Sequence, residues 1–141
     1  MNSQNPISVC FRKYFDFKGR ASKSEFWSFF FFLAIVYLVV GLPLATFDLS
    51  QGRENLPIAG LAIILIVILT FIPYIAVTAR RLHDFGRSGW IQCIFLIIGY
   101  YADAFLGTGE VISWITTIIF FIYISQKSTP EKNKFGDAPK N

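Results

Sequence analysis

Residues 78–90 read Thr78-Ala79-Arg80-Arg81-Leu82-His83-Asp84-Phe85-Gly86-Arg87-Ser88-Gly89-Trp90, and this stretch decides the fold. It sets three arginines, the sole histidine of the chain, one aspartate and two glycines between long apolar runs. If those runs cross a membrane, the stretch is a polar loop held at one face. The reading of the whole chain then turns on which face.

Working outward, the apolar runs dominate. Residues 26–47 and 57–79 are uncharged and about as long as the roughly 20 residues a bilayer-spanning helix needs. After the loop, residues 90–106 and 110–125 form two shorter runs joined by Gly107-Thr108-Gly109. These are read as two further spans. A re-entrant hairpin is the competing reading, and it demands shielding by surrounding protein. The expected fold is therefore all-α, a bundle of four transmembrane helices.

Composition agrees. Hydrophobic residues make up 54% of the 141, sixteen are phenylalanine, and 16% are charged where a soluble domain carries about 25%. Mean hydropathy is +0.52 and the pI is near 9.2. A basic chain can point to nucleic acid, but here the cations sit in short segments beside apolar runs, which favours membrane topology. No signal-peptide pattern precedes residue 26. Cys10 and Cys93 imply no disulfide framework.

Local signals place the helix ends. Ser22-Lys23-Ser24-Glu25 is a capping box opening the first span, with Trp27 as its interfacial anchor. Pro57 suits the first turn of the second span, and Pro73 inside it predicts a kink. Gly86 is a helix stop, and Trp90 anchors the third span. Residues 1–25 read as a basic cytoplasmic segment, 80–89 as a cytoplasmic loop and 126–141 as a flexible cytoplasmic tail.

Orientation follows from charge. Four spans put Lys and Arg at positions 12, 13, 18, 20, 23, 80, 81, 87, 127, 132, 134 and 140 on one side, against Arg53 on the other. The positive-inside rule then makes both termini cytoplasmic.

Three motifs carry a family resemblance. Phe17-Lys18-Gly19-Arg20-Ala21-Ser22-Lys23-Ser24-Glu25-Phe26-Trp27 resembles an opening F-x-G-R-A-S-R-x-E-F/Y-W, and residues 79–90 resemble A-R-R-L-H-D-x-G-R/K-S-G-W. Asn133-Lys134-Phe135-Gly136-Asp137 resembles an N-K/R-F/Y-G ending. Together they look like the small bacterial YhaH-like inner-membrane proteins grouped as domain of unknown function 805, over nearly the whole chain. The resemblance implies a multi-span protein of the bacterial inner membrane. It assigns no activity, substrate or catalytic residue.

The chemistry is therefore read from the residues. Arg80 and Arg81 end the second span, where cations offset the helix dipole and reach for headgroups. A sharper reading gathers Arg20, Arg80, Arg81 and Arg87, with His83 and Asp84, into a site for a lipid phosphate, a ligand or a partner. The planar arginine fork suits oxyanions. A helix prolonged to residue 85 brings Asp84 within reach of Arg80 or Arg81. The block from Gly19 to Glu25 is then expected to pack on the loop from Arg80 to Gly89 as one platform. His83-Asp84 invites a catalytic reading, but neighbouring residues rarely make that geometry and no nucleophile accompanies them. One histidine offers no zinc site. The expectation is a non-enzymatic membrane protein with no cofactor, metal or nucleic acid. Its basic face contacts anionic lipid headgroups, another membrane protein or a second copy. A small oligomeric transporter or channel is the alternative, disfavoured because the first two spans lack ionisable residues.

Overall fold

The computed structural model describes residues 5–43, 46, 56–107 and 111–139. Among them run five α-helices: α1 (Pro6–Arg12), α2 (Lys23–Val36), α3 (Leu56–Asp84), α4 (Ile91–Leu106) and α5 (Val111–Ile124). The expected outer turn near residues 48–55, with Arg53, and the Thr108–Glu110 connection lie outside the described residues. Two compact units emerge, Met1–Asp16 with Ser24–Ala76, and Phe17–Lys23 with Val77–Asn141.

In the first unit, α2 buries Phe26, Phe29 and Leu33, which recur at i, i+3 and i+7 on one face. α1 lies against that helix, with the Phe11 ring edge-on to Phe29 at 5.4 Å. The sequence reading had no helix there. Its signal was Asn5-Pro6: the Asn5 side chain accepts from Ile7 N at 3.0 Å while Pro6 occupies the first helical turn. α2 passes directly into a π-helical turn, Tyr37–Gly41, in which Leu42 N donates to Tyr37 O. Tyr37 Oη meets Thr70 Oγ1 at 2.6 Å, and Thr70 donates on to Ile66 O at 2.7 Å. Each hydroxyl is thereby satisfied inside an apolar pair of helices, as a membrane interior demands.

α3 has 29 residues, about 44 Å of helix at 1.5 Å per residue, and it runs through Pro73 to Asp84. It therefore outlasts the uncharged stretch that ends at Ala79 by more than a turn. Segments Lys23–Gly41 and Gly60–Asp84 are long and apolar enough to cross a membrane. α4 and α5, with 16 and 14 residues, reach about 24 and 21 Å. They pair as a hairpin in the second unit, with Ser113 Oγ donating to Gly99 O at 2.9 Å and Phe95 beside Phe120 at 5.2 Å.

Candidate functional site, a buried arginine–aspartate network

The last turn of α3 organises the second unit. α3 ends in a Schellman motif: Arg87 N donates to Leu82 O and Gly86 N to His83 O, each at 3.0 Å. Gly86 takes the left-handed φ of 77° that this closure needs. The chain then turns back so tightly that a Cβ on Gly89 would lie 2.8 Å from Ala79 Cβ. Both glycines of the loop thus have a geometric reason.

Within this frame Asp84 is fully buried and bridges two arginines. Its Oδ1 accepts from Arg20 Nε at 2.9 Å, and its Oδ2 accepts from Arg81 Nη1 one turn earlier on α3. The side chains of Arg20, Arg81 and Asp84 are at most 1% exposed. Two positive charges against one negative leave a surplus, and main-chain carbonyl dipoles take it up. Arg20 Nη1 donates to Glu131 O at 2.7 Å, and Nη2 donates to Thr129 O and, at 3.2 Å, to Thr129 Oγ1. Arg81 Nε donates to Ile124 O at 3.1 Å and Nη2 to Gln126 O. Arg81 therefore also closes the C-terminal end of α5, where unpaired carbonyls favour a cation.

Residues 126–137, read from the sequence as a flexible tail, are bound to this network. Thr129 Oγ1 donates to Asp84 O at 2.7 Å and Asn133 Nδ2 to His83 O at 2.9 Å, which occupies the exposed carbonyls of the α3 terminus. Asn133 and Gly136 exchange main-chain bonds, and Phe135 N donates to Asn133 Oδ1 at 2.9 Å. That small turn lays the Phe135 ring on the His83 ring, 3.8 Å away and 5° from parallel. The signal for this docking was present in the family-like ending, Asn133 to Gly136.

His83 lies beyond the uncharged part of α3. Its Nδ1 is 3.1 Å from Gly19 O, and a carbonyl can only accept, so Nδ1 carries the proton. Burial pushes the imidazole below its usual pKa; the Gly19 bond opposes this and Lys134 adds to it. His83 and Asp84 thus serve different partners. Ala21 N donates to Arg80 O at 3.0 Å, so Gly19 to Ala21 pack on the end of α3. Glu25 belongs to the first unit, where Cys10 Sγ lies 3.9 Å from its Oε1.

The sequence-derived site residues divide cleanly. Arg20, Arg80, Arg81 and Asp84 are buried, His83 is half-buried and Arg87 is exposed. Gly19-Arg20 and Gly86-Arg87 look alike in sequence and share a left-handed glycine, φ 80° and 77°, yet their arginines go to opposite environments. Of the anchors, Trp90 is 77% exposed and Trp27 half-buried. Among the described residues no group of three or more His, Cys, Asp or Glu is placed to hold a metal ion.

Comparison with known proteins gives a consistent picture. The family described as "Protein of unknown function (DUF805)" matches residues 14–137. Inner membrane protein YhaH of Escherichia coli (strain K12) is 35% identical over 129 residues, covering 92% of this chain and 91% of the relative. Inner membrane protein YhaI of the same strain is 30% identical over 129 residues, covering 92% and 90%. No solved structure matches. The matched span takes in all three segments of the network, and the chain is a helical membrane protein belonging to the DUF805 family.

Proposed function

We propose that the chain is a four-span protein of the bacterial inner membrane, both termini cytoplasmic, whose non-enzymatic cytoplasmic platform binds anionic lipid headgroups. One observation carries the topology. Arg20, Asp84 and Glu131 meet through direct hydrogen bonds, although apolar helices separate each from the next in sequence. Segments that touch outside the membrane share a side, so an even number of crossings lies between them. Two crossings by α2 and α3 and two by α4 and α5 meet this condition. The twelve-to-one charge split then selects the cytoplasm for that side.

The network also sorts the cations by role. Arg20 and Arg81 spend their donors on Asp84 and on tail carbonyls, so they hold the platform together. Lys23, Arg87 and Lys127 are exposed and supply charge to its surface. Each such cation near an anionic leaflet contributes about 1 kcal/mol of attraction.

Two experiments test this. A reporter active only in the periplasm is inserted at Gly52 or fused after Asn141; activity after Asn141 with silence at Gly52 would invert the topology. Native mass spectrometry of delipidated protein titrated with phosphatidylglycerol tests the surface. The triple variant Lys23→Gln, Arg87→Gln, Lys127→Gln should bind several-fold less of it than the parent, with phosphatidylcholine unchanged. Undiminished phosphatidylglycerol binding would refute the assignment and point to a protein partner instead.

A further inference from the structure

We propose that the α4–α5 hairpin sits in a bilayer thinned around it to little more than half the usual hydrocarbon depth. The inference rests on the four-span reading above.

The hairpin carries two polar or aromatic belts at different heights. Trp90 and the Ser125-Gln126 end of α5 mark the cytoplasmic level. Tyr101 lies ten residues beyond Ile91, and Trp114 ten residues before Ile124; at 1.5 Å per residue each is about 15 Å from that level. The bond from Ser113 to Gly99 ties the two helices in this register. At that height three amphipathic rings face outward, Tyr100 at 73%, Tyr101 at 55% and Trp114 at 64% exposed. Tyrosine and tryptophan collect where headgroups meet hydrocarbon, because one part of the ring is apolar and the other wants water.

Between the belts the outward residues are mostly aliphatic, among them Ile94, Leu96, Ile97, Ile118, Ile119 and Ile122, with Thr117 the polar exception on α5. Beyond the upper belt α4 continues through Asp103, about 18 Å from Ile91. A hydrocarbon core of about 30 Å would place that residue well inside the apolar layer. Carboxylates near the centre of such a layer are disfavoured. Drawing the outer headgroups down to Tyr100 and Tyr101 removes that cost and solvates three phenol or indole groups together. A short hydrophobic stretch is ordinarily met by local thinning of the bilayer. The Lys23–Gly41 and Gly60–Asp84 segments, with 19 and 25 residues, make no such demand. The hairpin therefore takes a thin shell of lipid, suited to short acyl chains.

The test reads water directly. In a Cys10→Ser, Cys93→Ser background, single substitutions Tyr101→Cys, Ala104→Cys and Phe105→Cys are compared with Ile94→Cys, Ile97→Cys and Ile118→Cys. All six native side chains are exposed in the structure, so differences report solvent rather than packing. An impermeant maleimide is applied to spheroplasts and, separately, to inverted vesicles. The expected result is labelling at 101, 104 and 105 from the periplasmic side, with 94, 97 and 118 protected from both. Protection of 101, 104 and 105 from both sides would overturn the thinning while leaving four spans intact. Labelling of those three from the cytoplasmic side alone would mean the hairpin does not cross, and both readings would fall. A second arm uses the unsubstituted protein in phosphatidylcholine of 14- or 22-carbon chains. Competition with brominated lipid, read by tryptophan quenching, should favour the 14-carbon lipid several-fold; equal or reversed preference would also overturn the proposal.

Discussion

Arg20 and Asp84 lie 64 residues apart in the chain and are joined at 2.9 Å with both side chains shut away from solvent. The pair is held in place by Arg81 from one side and by the carbonyls of residues 129–136 from the other. An exposed ion pair contributes about 0–1 kcal/mol. Breaking a buried one costs more, because its partner is left charged in an apolar setting.

Asp84→Asn is accordingly expected to destabilise the purified protein by about 3–5 kcal/mol. Arg87→Ala, a change at an exposed residue of the same loop, should stay within about 0.5 kcal/mol. Thermal melts in one detergent compare them, and equal melting temperatures would contradict the bridging role of Asp84.

Arg20 also holds the tail, so its loss should be felt about 110 residues away by sequence, at Thr129 and Glu131. In Arg20→Lys the charge survives but the fork that reaches Asp84 and the tail carbonyls together is lost. Trypsin should then cut after Lys127, Lys132 or Lys134 several-fold faster than in the parent protein, while the helices stay intact. Unchanged cleavage rates would show that the tail is held by other contacts.

Acid should loosen the same contact through His83. Its folded pKa lies below the usual value near 6.5 because burial disfavours the imidazolium. The unfolded chain therefore takes up the proton first as pH falls. Stability from this residue is complete above pH about 6.5 and declines from there down to the lowered folded value. Melting temperatures measured from pH 8 to 5 should show that decline, and His83→Gln should flatten it.

Gly89 and Gly60 give opposite expectations for the same substitution. Alanine at Gly89 puts a Cβ 2.8 Å from Ala79 Cβ and 3.2 Å from Ala79 Cα. Such crowding costs about 1–3 kcal/mol. At Gly60 nothing lies within 4 Å, and alanine is the better helix former, so no loss is expected. Differential scanning fluorimetry of the two variants decides the point.

Inside the apolar unit, Tyr37→Phe removes the donor that Thr70 Oγ1 accepts. Hydrogen bonds between membrane helices contribute about 0.6 kcal/mol on average, with a maximum near 1.7. A loss in that range, abolished in a Thr70→Val background, would measure the coupling by a double-mutant cycle.

Much of the fold was legible in the residues. Uninterrupted apolar runs bury no charge in hydrocarbon, so helices are expected at about 26–47, 57–79, 90–106 and 110–125; α2 to α5 fall on these runs, and α3 continues past the second to Asp84. Gly86 marks the helix end because its φ is open only to a residue without a Cβ. The seven residues of α1 were missed because so short a helix has no periodic stretch to reveal it; Asn5-Pro6 was the cue.

Which charges are buried was not legible. Arg20 and Arg87 each follow a glycine and precede a small residue and a tryptophan, so local pattern treats them alike. Their fates differ because Arg20 meets the buried Asp84 carboxylate and a row of tail carbonyls, whereas the side chain of Arg87, at the end of the Schellman turn, remains exposed. Desolvating a guanidinium is tolerable only where such partners converge. Here they come from positions 84, 129 and 131, brought together by the turn after α3 and the return of the tail. The sequence by itself determined the four long apolar helices and the membrane family. Only tertiary structure decided that Arg20 and Arg81 join one buried network with Asp84 while Arg87 stays exposed, since burial of charge depends on distant partners meeting at one point.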